Sequence, residues 1–419
     1  MTSRIDEGKS VTDHIDENDL EKRIADTGSM LALTLSKVIE QIPGDTNGPQ
    51  NLARLLGINK VLTSRILKAL RSRDPIAVMH HIPGPEPLRR FLRHAGRRGA
   101  GVDVVNAAAN AIEQFDMLIR REAGDRASLN AIISSWLPEA RRDFELRRKQ
   151  AAFRAMSELK GVLVQTDLAT VILHPSEGGD RIDIVWIMGK LGLQRLRPGA
   201  TIKLDTRRIT SEGDTPRVPF NLDGKPIKTL NDSRLESFST SSDVAIDVNT
   251  VNDVIHYTLK NGGFGRASTV DIVMAEVNYN EMPRYIPANL NRKGYVFAEI
   301  NLPSRLLLFD VLVHKDIYPG SDPQLFIYDT AGDGVADIND SSRDIDRMEL
   351  LETIQTLGVG SAKCRNANVP RYVELLRSVY SHLQWNDLEF RGYRCAIDYP
   401  IYGTQVVMAF IPPPPPEEQ

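Results

Sequence analysis

The chain has little of what exported, membrane-spanning or disulfide-stapled proteins need. Its 419 residues include two cysteines, Cys364 and Cys395, at no metal-ligand spacing and in no disulfide framework. Thiols so few and so placed are expected as small core residues in a reducing compartment. No window approaches the roughly 20 apolar residues that cross a bilayer. The opening MTSRIDEGKSVTDHIDEND is polar and acidic, which differs from a secretory leader. The expectation is a soluble, cytoplasmic protein without a membrane partner. Catalytic signatures are also lacking. There is no GxSxG elbow and no HExxH pair, and MGK at 188–190 lacks the upstream glycine of a phosphate-binding loop. NGGFGRAS at 261–268 has Gly263 and Gly265 but Ser268 where a dinucleotide site wants a third glycine, so it reads as a hairpin turn. The chain is therefore expected to be no enzyme, with no catalytic residues and no cofactor.

What is present is an uneven distribution of charge. Residues 1–50 carry a net charge of −5, residues 51–160 a net of +10 and the remainder −8. A basic block between acidic neighbours suits a phosphate-facing module, because neutralising phosphates releases condensed counterions. Solvated helical faces give the same composition.

Periodicity divides the chain into an α+β arrangement. Residues 1–28 are expected as an acidic disordered tail, with one short helical stretch near Asp19–Ala25. Leu31, Leu35, Val38, Ile39 and Ile42 recur at helical spacing after Ser29 as N-cap, and Pro43 stops the run. A DNA-binding domain spans 29–95, in which Leu88–Ala95 is a short basic helix. Helical segments at 102–121, 128–136 and 139–159 form a linker or dimerisation region over 96–160. Near Gly161 the period changes, and 161–411 reads as a β-rich sensor or assembly domain. Its strands include Tyr295–Ile300, Leu306–Val313 and Gln405–Ile411, and its aromatics Trp186, Tyr257, Phe297 and Phe309 are expected in the core. Two helices interrupt it, one carrying Ile345, Met348, Leu351 and Ile354, the other opening at Pro370. Thr206–Asp253 reads as a long polar loop, and 412–419 as a polyproline tail.

The most informative stretch is QNLARLLGINKVLTSRILKAL at 50–70. Ala53 is small where two helices approach, and Gly57 follows at the position that closes the first helix left-handed. Leu52, Leu56, Ile58, Leu62, Ile66 and Leu70 supply the apolar contacts of a helix pair. This pattern resembles the helix-turn-helix of bacterial transcriptional regulators, especially the IclR-like and MarR-like winged-helix groups, over about a tenth of the chain. It departs in having Thr63 where the family places Val or Ile, with Leu62 beside it as the substitute. A wing also requires a hairpin after the recognition helix, whereas IAVMHHIPGPEPLRRFL offers one short strand before a Pro-rich turn. On such a strand His80 and His81 face opposite ways and share no metal.

The resemblance implies a recognition helix over Asn59–Ser72 entering the major groove. Lys60, Ser64, Lys68 and Arg71 lie opposite its apolar face when it is projected at about 100° per residue. Asn59, Lys60, Thr63, Ser64 and Lys68 are the candidates for base-edge and nearby phosphate contacts, and Arg65, Arg71, Arg89 and Arg90 for the backbone. The implied partners are double-stranded DNA, a second copy in a homodimer, and an unknown small-molecule effector. An enzyme or scaffold whose winged-helix-like unit serves only dimerisation or protein contacts stays open beside it. DTAGDGVADINDSSRD at 329–344 places Asp329, Asp333, Asp337 and Asp340 near a calcium-loop spacing, but Ala331 holds a ligating position and no Glu closes the loop. Such aspartates equally satisfy their own backbone.

Overall fold

A computed structural model describes residues 17–208, 218–240, 246–251, 254–259 and 263–416. The chain forms two compact units, Met1–Glu145 and Leu146–Gln419. The expected α+β class holds, with helices first and sheets after.

The first unit is helical throughout its described residues. It comprises α1 (Glu17–Glu40), α2 (Pro49–Leu56), α3 (Lys60–Arg71), α4 (Pro75–His81), α5 (Pro85–Arg97), α6 (Val102–Leu118), a π-helical turn at Ile119–Ala123, α7 (Arg126–Trp136) and the start of α8 (Pro138–Lys160). Local chemistry sets these ends. Asn59, Asp74 and Asp125 accept backbone N–H groups as N-caps, and prolines open α2, α4 and α5, where a missing donor costs nothing. One apolar core joins the helices: Leu31, Leu35, Leu52, Ile66, Met79, Phe91, Phe115 and Ile133 are all fully buried. Gly28 permits the α1 crossing, since a Cβ there would lie 2.2 Å from the Pro75 carbonyl oxygen on α4.

Three expectations are corrected here. Residues 17–28 are not tail: α1 starts at Glu17, Ser29 lies inside it, and Ile24 is fully buried. Residues 1–16 of that tail lie outside the described residues. The segment expected to be a wing strand is helix α4, capped by Asp74, so the helix pair has no wing. Residues 96–145 are not a separate linker, because Ile112, Phe115, Leu129 and Ile133 share the core of α1–α5. The unit boundary falls inside α8.

The second unit is built on a six-stranded sheet in the order β10-β11-β8-β1-β2-β6. Its strands are β1 (Val162–Pro175), β2 (Arg181–Arg195), β6 (Val270–Pro283), β8 (Ser304–His314), β10 (Gln355–Val359) and β11 (Phe390–Asp398). β1 and β8 run parallel, from Val164 opposite Ser304 to Leu173 opposite Val313, and the other pairs are antiparallel. The period of two sorts β8 cleanly. Leu307, Phe309, Val311 and Val313 face a three-stranded sheet of β7 (Gly294–Glu299), β12 (Thr404–Phe410) and β9 (Gln324–Asp329), while Leu308 and Leu312 face α9 (Tyr372–Leu383). A second small sheet joins β3 (Ile202–Arg208), β5 (Val254–Leu259) and β4 (Ile246–Val251). Both cysteines are buried and free, and burial pushes each thiol up to about 12.

Charge also enters this interior. Arg394 donates to both oxygens of Asp310 at 2.8 and 2.7 Å, and the Tyr372 hydroxyl donates to Asp310 at 2.8 Å. Burial pushes the Asp310 carboxyl upward against the pull of those donors. Lys190 donates to both oxygens of Asp167 at 2.7 Å, again in the interior.

The expected helix at 345–354 is absent. Ser341–Asp346 makes a 3-10 turn, Ile345 is 89% exposed, and β10 begins at Gln355. Nor is 261–268 a hairpin turn, because β5 and β6 belong to different sheets; residues 261 and 262 lie outside the described set. The polar stretch 206–253 is partly ordered, with 3-10 turns at Leu230–Ser233 and Glu236–Phe238 and strand β4. Residues 209–217, 241–245 and 252–253 of that stretch, and 417–419 of the expected tail, lie outside the described residues.

Candidate nucleic-acid interface

The α2–α3 pair assembles as its spacing demands. Gly57 closes α2 at φ 65° and ψ 36°, a left-handed conformation that costs other residues about 1–2 kcal/mol. The Ile58 amide donates back to Ala53 at 3.1 Å. Asn59 then turns extended, and its side-chain oxygen accepts the Val61 amide at 2.7 Å to start α3. Leu62, Ile66 and Ala69 point inward.

Lys60, Ser64, Arg65, Lys68 and Arg71 are exposed along the outside of α3, and Asn59 is exposed at its start. Thr63 is not among them. Its side chain is fully buried, and its hydroxyl donates to the Pro49 carbonyl at 2.7 Å, tying α3 to the start of α2. It lies on the inward side because it falls one residue from Leu62 and three from Ile66. Arg65 reaches the Ile82 carbonyl at the end of α4 at 3.4 Å, a cation placed at a helix C-terminus. Arg89 is engaged within the unit, donating to Glu113 at 2.9 Å and Asp116 at 2.7 Å, and those bonds raise its pKa further. Arg90 faces solvent.

One feature went unread in the sequence. Val61 is 65% exposed beside Lys60 and Ser64, an apolar side chain on the polar face, and its helical phase was the available signal. The basic surface is also wider than α3: residues 51–98 hold 11 Lys and Arg against 2 acidic residues, and all of those cations except Arg89 are exposed. They include Arg54, Arg73, Arg93 and Arg97. One acidic side chain from outside the segment reaches the recognition face. Glu139 on α8 lies 3.5 Å from Lys68 and 3.7 Å from His81. Burial, helped by Lys68, lowers the His81 pKa.

No family model, curated protein or solved structure matches this chain. Geometry and charge alone therefore carry the functional assignment.

Other candidate chemistry does not assemble. His80 and His81 lie in the last turn of α4 with ring centroids 4.7 Å apart, in place of opposite faces of a strand. In the aspartate loop, Asp329, Asp337 and Asp340 accept the amides of Ala331, Asn339 and Ser342 at 2.8–2.9 Å. Arg343 spans the turn, donating to the carbonyls of Asp333, Gly334 and Val335, so the protein's own guanidinium takes the backbone acceptors a cation would use. Among the described residues, no group of three or more His, Cys, Asp or Glu is arranged to hold a metal ion. Nor is any helix among them long and apolar enough to cross a membrane.

Proposed function

We propose that the first unit binds double-stranded DNA through α3 and that the chain is a transcriptional regulator acting in the cytoplasm. The observation that carries this reading is the outer face of α3, where Lys60, Val61, Ser64, Lys68 and Arg71 follow one another at helical spacing with no apolar neighbour covering them. An α-helix fits the major groove, where Lys reads guanine acceptors, Ser reads either donor or acceptor, and an apolar side chain meets the thymine methyl. Val61 joins the base-reading set in place of Thr63. The exposed arginines at 54, 73, 90, 93 and 97 supply sequence-independent phosphate contacts. Arg89 contributes by fixing α5 to α6 through Asp116.

Helix-turn-helix proteins read two half-sites as two-fold dimers, so a homodimer is part of the proposal. The second unit is assigned effector sensing or assembly. The test is selection of bound fragments from sheared genomic DNA by the full chain, followed by anisotropy on the recovered sequence across a salt series. A recurring palindrome, bound at least about a thousandfold better than random DNA, is the expected result. Recovery of nothing above background overturns the reading and leaves α2–α3 as a protein-contact module.

A further inference from the structure

In the second unit, α9, the 3-10 turn Ser361–Cys364 and the segment Trp385–Leu388 enclose an open groove of about 620 Å³. Its size falls in the range of about 300–1,000 Å³ typical of small-molecule sites. The walls are pinned. Asp387 accepts both the amide and the hydroxyl of Ser361, which ties the two loops together, and the Gly360 amide donates to the Phe390 carbonyl at 3.0 Å. Trp385 is held from behind by His174, whose ring stacks on the indole at 4.2 Å and 5°. A groove braced in this way needs little ordering on binding.

Its lining is amphipathic and positive. Leu388 is 68% exposed and Val359 52%, unusual for large apolar residues, and the half-buried Trp385 adds aromatic surface. Two cations reach the same groove, Lys363 from the 3-10 turn and Arg377 from α9, one turn before Ser381. Neither makes a side-chain hydrogen bond or ion pair with any described residue, in contrast to Arg371 on the same helix, which grips Glu374 at 2.9 Å. The one carboxylate in the lining, Asp387, is turned to Ser361.

We infer that this groove binds a small carboxylic acid with an aromatic or branched apolar body, its carboxylate set between Lys363 and Arg377 and its body against Trp385, Val359 and Leu388. Two cations without protein partners beside exposed apolar surface complement an amphipathic monoanion better than its neutral analogue, which gains no charge-assisted bond from either. The assignment gives the second unit a ligand class. It goes beyond the DNA-binding reading and stands or falls without it.

The test titrates the full-length chain with phenylacetate, indole-3-acetate and 4-methylvalerate, each beside its neutral amide, by calorimetry. At least one acid is expected to bind saturably, its amide at least about tenfold more weakly, and Lys363→Gln with Arg377→Gln to cost about tenfold or more in affinity. Both substitutions are on exposed side chains, so folding is expected to survive. A second variant, Ser381→Trp, fills the groove without removing a charge and is expected to abolish binding. Equal affinity for acid and amide, unchanged affinity in the double variant, or no saturable binding of any acid up to about 10 mM overturns the inference. DNA selection by the same preparation is scored separately, so the two failures are distinguishable.

Discussion

The two units handle charge in opposite ways. The first is strongly basic over 51–98 yet keeps all but one of those cations exposed around an apolar core. The second buries charge outright, with Asp310–Arg394 and Asp167–Lys190 inside the sheet and its neighbouring layer. Exposed pairs contribute little to stability, about 0–1 kcal/mol each, so the exposed cations of the first unit add little to its fold. Buried pairs are different: their loss is severe, because the abandoned partner stays desolvated. Under the proposed reading the exposed cations of the first unit are left for a partner, whereas the buried pairs of the second hold its fold.

That contrast can be broken experimentally, and the tryptophans separate the readouts: Trp136 lies in the first unit, Trp186 and Trp385 in the second. The largest effect is expected from Arg394→Leu, which strands Asp310 and should destabilise the second unit by about 3–5 kcal/mol in denaturant unfolding. A loss under about 1 kcal/mol would mean the pair behaves like a surface contact. Ile66→Ala opens the core of the first unit where α3 packs and is expected to cost about 2–4 kcal/mol, read at Trp136. Asn59→Ala removes the α3 cap and should cost about 1 kcal/mol, with DNA affinity falling alongside.

An acid effect comes next. Burial lowers the pKa of both His81 in the first unit and His174 in the second, so folding disfavours the charged form of each. The unfolded chain takes up these protons first, near pH 6.5. Their contribution is complete above that value and is lost as pH falls through it toward the lower folded values. Thermal melts from pH 7.5 down to 5 should show both transitions moving down. The smallest stability effect is expected from Lys68→Ala with Arg71→Ala, within about 0.5 kcal/mol, although the same pair should flatten the salt dependence of DNA binding by about two phosphate contacts. If stability falls and the salt slope does not change, the basic face is structural.

The sequence disclosed these regions unequally. Helix ends marked by Pro49, Gly57 and Asn59 were legible because each carries a local backbone reason, and the change of period near Gly161 marked the start of β1, whereas the basic helix expected at Leu88 opens three residues earlier at Pro85. IAVMHH was not legible: four apolar residues followed by two histidines fit helix and strand alike, and the Asp74 cap with Pro75 was the overlooked evidence for α4. The helical spacing of Ile345, Met348, Leu351 and Ile354 misled because Ile345 meets solvent and Met348 and Ile354 pack on the small sheet from an irregular segment. β6 and β11 were missed, as Glu276, Arg391 and Arg394 interrupt the apolar alternation. The candidate interface was mostly readable because it lies on one helix. Lys363, Arg377 and Trp385 come from three segments that only the fold brings together, and no spacing rule could find them.

The parallel pairing of β1 with β8 carries a consequence for how the chain is made. β1 lies in the middle of its sheet, yet its neighbour at Ser304–His314 is synthesised long after it. While a ribosome makes the intervening residues, β1 can pair with β2 and β2 in turn with β6, but the edge of β1 that β8 will cover stays open. That edge is rich in Val, Ile and Leu, and it offers unpaired backbone groups to any other strand nearby. The first unit, whose contacts are closer in sequence and which is helical throughout its described residues, has finished emerging by then and is expected to fold ahead of it. Nascent chains stalled before Ser304 should therefore carry a folded basic unit tethered to a partial sheet with that aggregation-prone edge, and those released beyond Asp398 should not.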